Sequence, residues 1–539
     1  MERVPGAESR PAALPAVVLW VLVVGYLALY GYGQIKGVSA LNPDGMNYID
    51  VARNVMSGRG ISQSTLGFNQ PRFFPDSQIP TPLTSQPPLY PLTIALLGAS
   101  GLPLTAAALL VSIISFGCIL ALGYLLGRQL YDERTAYLAV GCLLLYYPLR
   151  LLVGDVVSEP LGMAIALLSL WLLVKLCRST PSRTFLAASV GLSAGLAFAT
   201  RYAFWPLCPV SLVCILIESV SWQPRLRRLA AYLAGWAAPV GLVLANNYLT
   251  SGAILLQPNA SDQGLIHNLR LAIGAIFGKY LGLFDSEPSI GLALLGLLVL
   301  ILGITLVVRR KTLTTLRAVL VDRQRYVLAL WSLSYLAALI WQRSLLNFDW
   351  ISPRLIAPAG IVMVVIWAAL LAAALPVSTK MLASSALAVV TVLIGLAGWR
   401  AAQTQAVPLE QQIASSERLA WIAQNTTGHD LIVGDSAVDI PYYLGRTAAV
   451  SFSSYPYTDY PEYSRLMAFA NRQCAEYEHI YLIIRTHYDR EEAWQRAYGP
   501  FVTDLMSGRT SAYPDVKLVQ RLSSAHIFEL LCPAQPTRQ

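Results

Sequence analysis

The chain has 539 residues, of which 55% are hydrophobic and 13% charged, and a formal net charge of +9. Soluble domains carry about a quarter charged residues, so the deficit excludes an ordinary soluble protein and points to a polytopic membrane protein. The basic surplus does not mark a nucleic-acid binder, because Lys and Arg fall in short clusters between apolar runs rather than on one polar face.

The N-terminal segment MERVPGAESR leads into an apolar run without a small-residue cleavage site. We therefore expect an uncleaved first span. A bilayer core needs about 20 apolar residues per helix. On that measure about eleven spans are predicted: Leu14–Tyr30, Leu104–Leu126, Ala136–Leu152, Pro160–Leu176, Phe185–Ala199, Phe204–Ile217, Leu229–Leu249, Ile290–Val308, Val327–Trp341, Leu355–Leu375 and Met381–Trp399.

Charge orients them. Arg3 and Arg10, Arg128 and Arg134, Lys175, Arg178 and Arg183, Arg225, Arg227 and Arg228, the 309–325 cluster and Lys380 all fall on one set of loops. Lys/Arg excess marks cytoplasmic loops. The N-terminus is then cytoplasmic, in a plasma (inner) membrane. The first loop (31–88), the loop around Asp155 and Glu159, the stretch 250–288 and everything after Trp399 are extracytoplasmic.

In the first loop, Asn42-Pro43-Asp44-Gly45 is a turn signal. Met46, Ile49, Ala52 and Met56 then recur at helical spacing, predicting a short interfacial helix. His267, Arg270 and Lys279 sit among apolar residues in a second such candidate. From Leu409 onward the composition turns polar. Leu409–Gln424 and Tyr463–Glu478 read as helices, and Leu431–Gly434 and His479–Ile484 as buried strands. The expected organisation is a membrane domain over 1–400 and an extracytoplasmic α/β domain over 401–539, a usual domain size. Of the seven cysteines, Cys118, Cys142, Cys177, Cys208 and Cys214 lie in or beside apolar runs. Cys474 and Cys532 lie in polar sequence, as a disulfide or as two thiols. The sequons at Asn259 and Asn425 read as incidental.

Several residues can carry chemistry. Asp44 is a candidate general base. On residue type alone, helix capping is the commoner role. Asp155 and Glu159 stand four apart at the start of a span, where the helix dipole favours an acid. A carboxylate beside a long apolar run also tends to face a cavity or a partner. Arg201 and Arg354 border apolar runs, either snorkelling to the interface or forming a fork for a phosphate. There is no GxxxxGK[ST], no HExxH and no His/Cys metal cluster.

Taken in order, these pieces resemble the GT-C superfamily of polyprenyl-phosphate-sugar-dependent glycosyltransferases, in the branch of protein O-mannosyltransferases and the aminoarabinose transferase of lipid A. The residues carrying the resemblance are Asp44, Tyr48, Ala52, Asn54, Gly58 and Gly60, then Pro87-Pro88-Leu89-Tyr90-Pro91, Ser158-Glu159-Pro160-Leu161, Thr200-Arg201-Tyr202 and Arg354. They span roughly the first 400 residues. The resemblance implies a GT-C-like fold and a sugar moved from a polyprenyl-phosphate donor to a hydroxyl of a lipid, glycan or protein acceptor. Asp44 is the implied base and the configuration is inverted. Glu159 and Asp155 are further catalytic candidates. Tyr48, Arg201, Tyr202, His267, Arg270, Lys279 and Arg354 are candidates for holding substrate and phosphate. Many relatives follow the first-loop aspartate with a second acid. Here Gly45 stands there, so no metal or other cofactor is expected. The absence of WWDYG argues against en bloc oligosaccharide transfer. A transporter or flippase of a lipid-linked or anionic substrate is the rival reading, and a non-catalytic scaffold a third. The transporter reading predicts paired halves with broken helices, which the sequence does not show.

Overall fold

The computed structural model describes residues 13–37, 41–65, 79–178, 183–217, 221–255, 260–261, 263–277, 326–346, 348–374, 378–434, 438–449, 463–486 and 499–532. The expected span Ile290–Val308, Lys279 and the 309–325 basic cluster lie outside them. In chain order the helices are α1 (Ala13–Gly37), α2 (Pro43–Met56), α3 (Leu89–Gly98), α4 (Leu104–Leu130), α5 (Glu133–Leu145), α6 (Tyr147–Val153), α7 (Glu159–Cys177), α8 (Thr184–Thr200), α9 (Leu207–Leu216), α10 (Trp222–Ser251), α11 (Leu265–Phe277), α12 (Tyr326–Leu345), α13 (Pro353–Ala374), α14 (Thr379–Gln403), α15 (Leu409–Ala414), α16 (Glu417–Asn425), α17 (Asp439–Leu444), α18 (Tyr463–Gln473) and α19 (Gly499–Met506). The strands are β1 (Ser62–Gln63), β2 (Thr81–Pro82), β3 (Leu431–Gly434), β4 (Ala448–Ala449), β5 (Ile480–Arg485), β6 (Val516–Arg521) and β7 (Ala525–Leu530).

Two compact units result. One comprises residues 1–37, 109–242 and 260–405; the other comprises 38–108, 243–259 and 406–539. Six described helices are long and apolar enough to cross a bilayer, or seven if α5 and α6 form one span bent by 60°. Pro148, in the first turn of α6, breaks the expected span Ala136–Leu152, because it donates no backbone hydrogen bond and crowds the preceding turn. The expected spans at 185–199 and 204–217 are shorter apolar helices.

The first unit is helical. α1 lies along α14, α7 along α8, and α13 packs between α5 and α12. Glycine sets one approach. A Cβ on Gly191 of α8 would meet the Tyr232 carbonyl oxygen of α10 at 2.0 Å, and one on Gly235 of α10 would meet the Ala188 carbonyl at 2.2 Å. Backbones that close are the mark of small-xxx-small helix pairs, and Gly191 and Gly195 are spaced that way.

The second unit joins the first loop to a five-stranded sheet of order β4-β3-β5-β7-β6. β4, β3 and β5 are parallel, while β7 runs antiparallel to β5 and β6 to β7. Side chains alternate across the sheet. Leu431, Val433, Leu482 and Phe528 enter a core covered by α18 and α19; Ile432, Ile483 and Ile527 enter one covered by α16 and α17. Cys474 and Cys532 form a disulfide, with Cα atoms 5.8 Å apart, beside the first of these cores. The expected helix 409–424 is two helices, divided where the Ser416 side chain accepts from the Leu419 N–H and starts α16 anew.

Candidate active site

In the second unit, α2 carries Asp44 in its first turn. Asp44 is not the cap. The Asn42 side chain accepts the Gly45 N–H at 2.7 Å and takes that role. The Asp44 carboxylate is half-buried and accepts from Gln86 Nε2 at 3.4 Å, and the Gln86 carbonyl accepts from Asn47 at 3.5 Å. Gln86 belongs to the Gln-Pro-Pro segment that ends the first loop, so the two ends of that loop meet at Asp44.

Tyr48, expected to face substrate, is instead part of the core of α2. It is buried and meets Tyr90 of α3 edge-to-face, with centroids 4.9 Å apart. Asp50 was not anticipated. It is buried six residues beyond Asp44, accepts the Ser64 N–H, and burial raises its carboxyl above the usual carboxylate value. Asn54 completes this knot by donating to the Ser62 carbonyl at 2.8 Å and to Ser64 Oγ at 3.2 Å. The i, i+4 spacing of Asp50 and Asn54 is the sequence signal, since it puts both on one helix face. Arg53 reaches from α2 to the Pro441 and Tyr442 carbonyls of α17. The Pro441 carbonyl also accepts the Gly445 N–H at 3.0 Å, so Arg53 adds a second, charge-assisted bond at the carbonyl end of a helix, where the dipole favours a cation.

The first unit brings three predicted residues together. Glu159, at the start of α7, is buried. Its Oε1 accepts from Arg201 Nη1, just past α8, at 2.8 Å, and from Arg354 Nε at the start of α13. The guanidinium side chains remain 19% and 25% exposed. Each arginine side chain is therefore partly exposed while the acid it meets is buried. Arg354 could not have been paired with Glu159 from the sequence, because 195 positions separate them.

The remaining candidates are dispersed. Asp155 is half-buried and caps its own turn, accepting the Val156 N–H at 3.0 Å. Tyr202 opens a short 3-10 turn and packs on Phe198 at 5.2 Å. His267 and Arg270 lie on the exposed face of α11, with His267 edge-on to Trp350 at 6.3 Å. Lys279 is outside the described residues. Among the described residues no three His, Cys, Asp or Glu side chains gather as metal ligands would.

The family model described as dolichyl-phosphate-mannose-protein mannosyltransferase matches residues 85–246. No curated protein matches by sequence. Among solved structures, ArnT from Cupriavidus metallidurans in the apo state is similar with a TM-score of 0.58 and 13% identity over 96% of this chain and 99% of that one. The same enzyme bound to undecaprenyl phosphate gives 0.57 and 13% over 97% and 100%. The oligosaccharyltransferase of Archaeoglobus fulgidus in the apo form gives 0.51 and 12% over 88% and 70%. Residues 85–246 thus match a mannosyltransferase family model, and the chain shares its fold with ArnT and with the archaeal oligosaccharyltransferase.

Proposed function

We propose that the chain transfers a sugar from a polyprenyl phosphate to an acceptor hydroxyl on the extracytoplasmic side of the membrane. In this reading the Asp44 carboxylate takes the proton of the acceptor hydroxyl. The freed oxygen bonds to the anomeric carbon as the carbon–oxygen bond to phosphate breaks, which inverts configuration. The electron pair of that bond leaves with the lipid phosphate. Arg201 and Arg354 hold the phosphate, since a guanidinium fork suits its oxygens, and Glu159 orients both. Gln86 aims Asp44. The neighbour bound to undecaprenyl phosphate supports a lipid-phosphate donor.

The observation that carries the reading is the convergence of two arginines from separate helix ends on one buried carboxylate, within a GT-C fold. A buried acid that merely needed neutralising would be served by one partner.

The test is transfer from a panel of radiolabelled polyprenyl-phosphate sugars by membranes holding the wild type or Asp44→Asn. Label reaching an acceptor with the wild type alone is the expected result. Equal transfer by Asp44→Asn would remove the base from Asp44. We also place no metal in the reaction, because Gly45 stands beside Asp44. Chelation with EDTA is expected to leave the rate unchanged, and a loss restored by a divalent cation would reverse this.

A further inference from the structure

Arg343 and Arg228 are the two fully buried basic residues among the described residues of the first unit. Arg343 lies in the last turn of α12. Its Nη1 donates to Ser261 Oγ at 2.8 Å and to the Leu346 carbonyl at 3.4 Å, and its guanidinium carbon sits 5.9 Å from the centroid of the Phe348 ring. Ser261 is itself held, its N–H donating to the Leu345 carbonyl at 3.0 Å where Ala260 and Leu346 form an antiparallel bridge. Among the described residues, by contrast, Nε and Nη2 have no hydrogen-bond partner and no carboxylate pairs with this arginine.

Those two nitrogens form one edge of the guanidinium. It is the edge whose parallel N–H groups match two oxygens of one anion. A cation near the carbonyl end of a helix is favoured by the dipole. That accounts for Arg343 being at the end of α12 and for its bond to Leu346. It does not account for an oriented, dry and unpaired fork, which is expensive to bury alone. On the next residue of α12, Ser344 Oγ accepts from the buried Asn268 of α11 at 3.1 Å.

We propose that Arg343 anchors a binding site for a phosphate group, in addition to the Arg201–Glu159–Arg354 cluster. Ser261 and Leu346 fix the guanidinium through Nη1, and the Nε/Nη2 edge takes two phosphate oxygens. The phosphate can be carried by a polyprenyl phosphate, by a bilayer phospholipid or by the free anion. The inference is independent of the base assigned to Asp44.

The experiment measures binding to the purified full-length protein, wild type, Arg343→Lys, Arg343→Gln and Ser261→Ala. Three probes are used: undecaprenyl phosphate in detergent, nanodiscs with or without phosphatidylglycerol, and inorganic phosphate. Arg343→Lys keeps the charge and loses the fork, so it is expected to raise the Kd for at least one probe by about tenfold or more. Ser261→Ala is expected to raise it less. The probe affected names the source of the phosphate. Should Arg343→Gln fail to fold, Arg343→Lys and Ser261→Ala still decide the matter. Binding of every probe within about twofold of wild type in both folded variants would overturn the site, as would a wild type that binds none of them. Asp44→Asn is expected to bind as wild type does, which separates this result from the fate of the proposed reaction.

Discussion

Glu159 makes the sharpest case at the scale of single residues. Its two guanidinium partners point to a positioning role rather than proton transfer. Removing one partner of a buried ion pair costs ~3–5 kcal/mol when both are dry. Arg354 is a quarter exposed, so Arg354→Ala belongs near or below the lower end of that range, and Arg201 remains to hold the acid. Glu159→Gln leaves both arginines without their anchor. It is expected to weaken donor binding by about tenfold or more while Asp44→Asn does not, the two read side by side by equilibrium binding of the lipid donor. Equal donor binding by Glu159→Gln and wild type would detach the cluster from the phosphate. Glu159, Arg201 and Arg354 stood out as candidates in the sequence because a charged residue next to a long apolar run is conspicuous, and Asp44 by its turn signal in a polar loop and by the family resemblance. Their partners were not. Gln86 lies 42 positions from Asp44, and no periodicity links residues across such a gap. Tyr48 was a candidate by the family resemblance, and its place against Tyr90, in the packing of α2 on α3, was not legible either.

Elements were legible where one physical rule dominated. The long apolar helices obey a length rule, and the alternation of Leu431, Ile432 and Val433 between two cores obeys the strand period. Elements that depend on partners escaped: β6 and β7 are antiparallel additions to β5 whose pairing decides them. Two predictions belong here. Arg53 of α2 supplies charge-assisted bonds to α17, and such bonds contribute about 1.5–3 kcal/mol each. Arg53→Ala should therefore destabilise the second unit by ~2 kcal/mol, seen as a lower midpoint in thermal unfolding, whereas Arg53→Lys should recover part of it. The second concerns His526 on β7. Burial first, and the Arg521 charge second, push its imidazole below the ordinary value. A depressed histidine is neutral in the fold and binds its proton more readily in the unfolded chain. The stability it contributes is thus present above about pH 6.5 and is lost as pH falls below that. Thermal unfolding between about pH 7.5 and 5.5 is expected to show this decline, and His526→Gln to flatten it. An unchanged slope in that variant would assign the decline to other groups.

For the molecule as a whole, the orientation proposed from the Lys/Arg pattern has a chemical reporter. The Cys474–Cys532 bond closes a separation of 58 residues and joins the end of α18 to the chain just after β7. Disulfides persist in oxidising compartments and are rare where glutathione keeps thiols reduced. A bond of that span is worth roughly 4 kcal/mol by loop-closure entropy, with strain and residual structure lowering the figure. Its loss should therefore be visible, and Cys474→Ser is expected to lower the unfolding midpoint of the second unit. The sequence left this pair open between a bridge and two thiols, because spacing alone cannot tell them apart. The fold decides it by bringing the two Cα atoms to 5.8 Å. The five free cysteines all lie in the helical unit, and Cys118 is exposed. A variant with all five replaced by alanine therefore leaves a single reporter. Intact cells carrying it are treated with a membrane-impermeant reductant and then an impermeant maleimide. Labelling that requires the reductant is expected, and it would place α18, the sheet and the proposed base side of the chemistry outside the cytoplasm. Labelling that appears only after the cells are lysed would turn the molecule over. The Lys/Arg argument would then fail, and with it the extracytoplasmic transfer, although the GT-C-like fold and the pairing of Glu159 with Arg201 and Arg354 would stand.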